Sequence, residues 1–185
     1  MGKSYKMVLA LLATIVSASQ VEAATQGTLG ATSTGSLTIS VTKPARVKIS
    51  GLTDLTLASW VDGDGAVTLT NDVCVYSTRP SGAYTVKATG SGTASAFTLS
   101  ASAVTLPYTV TWNSGGVGAL ANTGTALTAN VTSGTLNNAA TDNSNCAGTT
   151  PGNTARIIVG ITNANMQAIS DGVYTGTLTL LVSPI

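Results

Sequence analysis

The chain has 185 residues, of which 8 are Lys or Arg, 7 are Asp or Glu and none is His. That length suits one domain of ordinary size, and only 8% of it is charged. Without His the usual proton shuttle near neutral pH is missing, and without clustered Lys and Arg nothing can release counterions from phosphates. Most acid–base, triad and His-metal chemistries are therefore excluded, as is nucleic-acid binding.

At the N-terminus Lys3 and Lys6 flank the start of an apolar run from Met7 to Ala18, and Val21-Glu22-Ala23 puts small residues where a signal peptidase reads them. Residues 1–23 are predicted to be a secretory signal peptide. The apolar run is shorter than the roughly 20 residues a spanning helix needs, so no transmembrane segment is expected. Removing the leader takes Lys3, Lys6 and Glu22 with it and leaves six basic and six acidic residues, a net charge of zero.

The next segment, residues 24–42, reads as an extension able to act as a strand. Its odd positions Leu29, Ala31, Ser33, Gly35, Leu37, Ile39 and Val41 are mostly apolar or small, and Thr32, Thr34, Ser36, Thr38, Ser40 and Thr42 alternate with them. Residues 43–185 form the domain proper. Thr, Val, Ser, Ala and Gly dominate and Glu is absent after the leader, a composition that suits pleated strands rather than helices.

Nine short runs are predicted as strands, in order Ser36–Thr42, Ala45–Ile49, Ala66–Thr70, Val73–Tyr76, Ala83–Ala88, Ala96–Ser100, Tyr108–Trp112, Arg156–Ile161 and Val173–Val182. Turn signals separate them at Asp62-Gly-Asp-Gly65, Thr70-Asn-Asp72, Arg79-Pro-Ser-Gly82, Gly90-Ser-Gly92, Asn113-Ser-Gly-Gly116 and Asp171-Gly172. The exception is the arm from Gly115 to Asn153, expected to be surface loop with Ala126–Val131 weakly strand-like. No fixed-period repeat is visible, so the fold class is all-β, a sandwich.

Cys74 and Cys146 stand in a chain that enters an oxidising compartment, and one disulfide is the simple reading. It would stabilise by roughly 4 kcal/mol on the chain-entropy model. The alternative, a two-thiolate metal site, lacks further ligands.

Other motifs carry little chemistry. Asp62-Gly-Asp64-Gly65 has the start of a calcium loop but Ala66 at the third oxygen position and no closing Glu, so it is read as a hairpin turn. Ser40 and Lys43 have an acyl-enzyme spacing that needs a helix, whereas alternation here says strand. Asn130-Val-Thr132 is a glycosylation triplet of a kind frequent in a chain this rich in Asn and Thr. Trp60, Trp112, Tyr76, Tyr84, Tyr108 and Tyr174 could stack on a sugar if exposed, or fill the core. No catalytic residue, metal or cofactor is assigned.

At the other end Tyr174, Gly176, Leu178, Leu180 and Val182 make the apolar face of the final strand, an edge that invites another strand. Alternation alone leaves two readings open: the extension pairs with Val173–Val182 of its own chain, or one subunit's extension completes the next subunit's sheet by β-strand addition.

The stretches Thr34-Gly-Ser-Leu-Thr-Ile-Ser-Val-Thr42, Val47-Lys-Ile-Ser-Gly51, Val73-Cys-Val-Tyr76, Tyr84-Thr-Val-Lys-Ala-Thr-Gly90, Phe97-Thr-Leu, Leu106-Pro-Tyr-Thr-Val-Thr-Trp112 and Gly172-Val-Tyr-Thr-Gly-Thr-Leu-Thr-Leu-Leu-Val182 together resemble a spore coat U-type domain. That family includes the pilins of archaic chaperone–usher systems. The resemblance implies an incomplete immunoglobulin-like sandwich, held by a periplasmic chaperone, passed to an outer-membrane usher and polymerised by donor-strand exchange into a surface fibre that serves adhesion or biofilm formation. The partners it implies are copies of the chain or related pilins, the chaperone and the usher. Leu29, Ala31, Gly35, Leu37, Ile39 and Val41 would then be the donor strip, and Tyr174, Leu178, Leu180 and Val182 the acceptor edge. The chain departs from the family at Ala45-Arg46-Val47, where a cysteine often lies. A reading from another class is a secreted monomeric sandwich that binds carbohydrate through Trp60, Trp112 or loop residues.

Overall fold

The computed structural model describes residues 23–146 and 152–185. The predicted leader lies outside the described residues but for Ala23. The chain divides into two units, Met1–Lys43 and Pro44–Ile185.

In the first unit the strand expected over Ser36–Thr42 is absent. Among the described residues its pairing is one antiparallel bridge between Thr25 and Ser36, closed by two N–H···O bonds of 2.9 Å. Alternation specifies a face, but a strand forms only where a partner edge satisfies its backbone groups. Leu29, Leu37, Ile39 and Val41 are exposed, as are Ala31 and Gly35.

The second unit holds, among the described residues, nine strands and one α-helix: β1 Val47–Ser50, β2 Val67–Ser77, β3 Tyr84–Gly90, β4 Thr98–Ala101, β5 Val104–Pro107, β6 Thr109–Asn113, β7 Thr125–Leu127, β8 Ala155–Ile161, α1 Asn163–Gln167 and β9 Leu178–Pro184. An antiparallel sheet in the order β1-β2-β8-β6-β7 forms one layer. The other is built from the pairs β3–β9 and β4–β5, joined by a bridge from Ser100 to Thr175. The fold is an all-β sandwich. At its centre Trp112 of β6 and Tyr84 of β3, both with no exposed surface, meet edge to face with centroids 6.4 Å apart. The Trp112 indole N–H donates to the Tyr84 hydroxyl at 3.0 Å and so ties the two layers together.

Several expectations need correction. The turn at Thr70-Asn-Asp72 does not exist, because β2 runs through it as an eleven-residue strand. Its polar residues are satisfied laterally: the Asn71 side chain accepts from Thr53 N–H at 3.0 Å and donates to the Gly51 carbonyl, and Asp72 pairs with Arg156 directly opposite on β8. The final strand begins at Leu178, not Val173. Before it the chain passes so close to β4 that a side chain at Gly176 would lie 3.0 Å from the Thr98 carbonyl.

The long arm is more than surface loop. Its Asn130 and Ser133 N–H groups donate to Ala88 and Val86 carbonyls, each at 2.8 Å, and Leu136 exchanges two 2.9 Å bonds with Tyr84. The arm thus covers one edge of β3, burying Leu127, Leu136 and Ala139. Gly82, at φ +60°, leaves room where it crosses, since a Cβ there would meet the Ala139 carbonyl. Cys74 and Cys146 form a disulfide with their Cα atoms 5.5 Å apart. Beyond it the Cys146 carbonyl accepts from Lys48 Nζ and Ser50 Oγ of β1.

β5 and α1 were not expected. β5 has one buried anchor, Leu106, and α1 is too short to show a period, though Thr162 caps it by accepting from Asn165 N–H at 3.1 Å.

Candidate functional site

The site begins with the geometry of β9. In an antiparallel pair the residues alternate between bonding one neighbour and facing the other. On β3, Tyr84, Val86 and Ala88 turn their backbone groups to the arm, so Thr85, Lys87 and Thr89 are the residues that bond β9, opposite Ser183, Leu181 and Thr179. The N–H and C=O groups of Leu178, Leu180 and Val182 therefore point away from β3, to an edge where no strand pairs among the described residues. Leu178, Leu180 and Val182 are half-buried against the core. One set of residues thus carries both an apolar inner face and an unpaired outer edge.

Beside that edge lies a groove of about 1270 Å³, larger than the 300–1,000 Å³ usual for small-molecule sites. Leu69 of β2 and Ile157, Val159 and Ile161 of β8 line it from the five-stranded sheet. Leu99 and Leu106 line it from β4 and β5, and Leu178 and Leu180 from β9. Met166 and Ile169 come from α1 and the residues after it, and Leu55 and Trp60 from the coil between β1 and β2. That coil exposes Leu52, Leu57 and Val61, and Val173 across the groove is 81% exposed. Exposed apolar side chains are thus gathered beside an unpaired strand edge, a combination that invites a partner strand.

Polar side chains also line the groove, Asp54, Asp62 and Asp171 among them, and several are engaged. Trp60 Nε1–H donates to the Gly65 carbonyl at 3.0 Å, and the Tyr174 hydroxyl donates to the Ser170 carbonyl at 3.1 Å. Burial pushes the Tyr108 hydroxyl above its ordinary value, so it enters the groove as a neutral group. Among the described residues no group of three or more His, Cys, Asp or Glu side chains could hold a metal ion.

The predicted site residues fall as follows. Tyr174, Leu178 and Leu180 line the groove; Val182 lies further along the same face of β9. Leu29, Ala31, Gly35, Leu37, Ile39 and Val41 belong to the first unit. Of the aromatic residues considered for sugar stacking, Trp112 and Tyr84 are wholly enclosed and Tyr108 is 7% exposed and stacked on Phe97. None of these three presents a face to solvent. The groove residues from the coil and from α1 were missed, although Leu52, Leu55, Leu57 and Trp60 recur between Gly51 and Asp62 without the alternation a strand would need. An apolar stretch that is neither strand nor helix was the available signal. Among the described residues no helix is long and apolar enough to cross a membrane.

No family model matches the chain, and no curated protein does. A solved structure described as a chaperone-tip adhesin complex vital for synergistic activation of CFA/I fimbriae biogenesis is similar in backbone, with a TM-score of 0.49 and 15% identity. The likeness covers 75% of this chain and 41% of that one, so the chain spans less than half of its length.

Proposed function

We propose that the chain is a structural subunit of a secreted surface fibre, a pilus or fimbria, that polymerises by donor-strand exchange. The observation that carries this is the pairing of an unpaired β9 edge with an open apolar groove in a chain that also carries a separate alternating segment. The groove is the acceptor, with Tyr174, Leu178, Leu180 and Val182 at its edge. Residues 24–42 are the donor, presenting Leu29, Ala31, Gly35, Leu37, Ile39 and Val41 to the next subunit. Seating such a segment satisfies the edge N–H and C=O groups and removes apolar surface from water at once. The resemblance to spore coat U-type domains supplies the setting: export through the periplasm, a chaperone that covers the groove beforehand, an outer-membrane usher, and adhesion or biofilm formation at the cell surface. The function is assembly rather than catalysis.

Leu37→Asp and Ile39→Asp test this. Each should leave the sandwich folded and stop fibre growth, since burying an unpaired carboxylate costs several kcal/mol against the roughly 1.5–3 kcal/mol gained by burying one aliphatic side chain. Normal fibres from either variant under the electron microscope would show that the donor is assigned wrongly.

A further inference from the structure

The charged side chains of the second unit are sorted between its two ends. At one end Arg46, exposed, is stitched to the residue that follows β2: its N–H donates to Thr78 Oγ1 at 2.8 Å and its carbonyl accepts from Thr78 N–H at 3.0 Å. Arg79 follows in the chain, exposed, and leads through the turn Pro80–Gly82 to Tyr84, which pairs with Pro184 at the end of β9. At the other end, where Val67 opens β2 opposite Ile161, sit Asp62 and Asp64 in a turn closed by an Asp64 N–H to Val61 C=O bond of 3.0 Å. Asp171, after α1, joins Asp62 among the groove-lining residues, as does Asp54 nearer the middle of β2, where Thr53 N–H bonds the Asn71 side chain, and no Lys or Arg is among them.

The remaining charges do not blur this division. Asp72 and Arg156 neutralise each other midway, and Lys87 stands midway along β3. Lys48 and Asp142 lie toward the basic end, where Lys48 bonds the Cys146 carbonyl. Ten residue steps of β2 set the ends roughly 33 Å apart, about four Debye lengths at physiological salt, so each acts as a separate patch.

We propose that these ends are the two halves of one head-to-tail contact between successive copies of the chain, the basic end of the donating subunit docking at the acidic mouth of the accepting groove. The inference rests on the strand-donation reading above. The donor segment joins the second unit at Pro44, two residues before Arg46. Wherever Thr42 emerges from a neighbour's groove, the donor's basic end must follow. If the segment lies antiparallel to β9, Thr42 emerges beside Leu178 and the basic end meets Asp62 and Asp171. If it lies parallel, Thr42 emerges beside Pro184 and the donor's Arg46 and Arg79 meet the acceptor's own. Complementary charge thus selects one of two orientations, and speeds encounter, while the apolar strip supplies the affinity. The contact is heterologous and non-closing, as a linear fibre requires.

Residues 28–42 carry no charge, and this provides the control. Fibre growth by the purified full chain is compared with that of Arg46→Glu/Arg79→Glu, Asp62→Lys/Asp171→Lys and the variant with all four changes, while uptake of a labelled Thr28–Thr42 peptide is measured on each. At low salt either double variant should grow at least about tenfold more slowly and the fourfold variant should recover, with the differences vanishing near about 0.5 M NaCl. Peptide uptake should be equal in the parent and in Arg46→Glu/Arg79→Glu, whose changes lie outside the groove lining, and insensitive to salt in both. Equal growth of all four chains with intact peptide uptake overturns the inference and leaves strand donation standing, as does slowing by both doubles without recovery in the fourfold variant. No peptide uptake by any chain removes the strand-donation reading itself, and the inference with it.

Discussion

Replacing Tyr84 with Phe deletes one oxygen from the centre of the sandwich and leaves the ring in place. The edge-to-face packing on Trp112 survives, but the indole N–H, which donates to that oxygen at 3.0 Å, loses its partner where neither residue has any exposed surface. An unpaired buried donor costs about 1–3 kcal/mol, which for a domain of this size lowers Tm by about 2–12 °C. A second signature lies at alkaline pH. Burial pushes the Tyr84 hydroxyl up to about 12, only partly offset by the bond from Trp112. An unfolded Tyr ionises near 10, so between about pH 10 and 12 the unfolded chain releases a proton that the folded chain keeps, and stability falls as pH rises through that window by roughly 3 kcal/mol. Phe has no such proton. The advantage of the parent chain should therefore be full at neutral pH and shrink steadily above pH 10. Urea denaturation of both chains across this range reads it. Equal stability at neutral pH, or a gap that stays constant up to pH 12, would show that the Tyr84 hydroxyl is not the partner the indole depends on.

Other outcomes follow from single contacts. Thr154→Val keeps the shape of a buried side chain but removes the hydroxyl that accepts from Val75 N–H at 2.9 Å and donates back to the Val75 carbonyl, and urea denaturation should show a loss of about 1–3 kcal/mol. Arg156→Gln should cost a little stability at neutral pH and nothing in acid: the bond from Arg156 holds the Asp72 carboxyl below its ordinary value, so the benefit is full above that value and is lost as pH falls through the lowered one. Parent and variant midpoints should converge on acidification. Reduction of Cys74–Cys146 should cost up to roughly 4 kcal/mol and should raise amide exchange along β1, whose Lys48 and Ser50 hold the Cys146 carbonyl.

Local pattern was enough to locate β3, β6 and β8, where apolar residues recur at every second position, as in Tyr84, Val86 and Ala88 or Ile157, Val159 and Ile161. It failed where the deciding contact is distant in sequence. Asn71 and Asp72 have the local preferences of turn residues, yet Thr53, Gly51 and Arg156 satisfy them inside β2, and nothing within a few residues announces those partners. The arm looks like loop because it alternates poorly, but its backbone bonds to Tyr84, Val86 and Ala88 make it the cover of a sheet edge. For the site, the period of two in Leu178, Leu180 and Val182 was legible, while the groove beside them was not. It is assembled from Leu69, Leu106, Ile157 and Met166, which only the fold brings together.

The central claim is that the free edge of β9 receives residues 28–42 of another copy. Its most direct measurement is residue-resolved hydrogen exchange on a chain lacking residues 24–42, with and without the Thr28–Thr42 peptide. Strand addition predicts that the amides of Leu178, Leu180 and Val182, which face away from β3, become strongly protected, while those of Thr179, Leu181 and Ser183, already bonded to β3, change least. Peptide binding that leaves the Leu178, Leu180 and Val182 amides exchanging as before, or no binding at all, would contradict it.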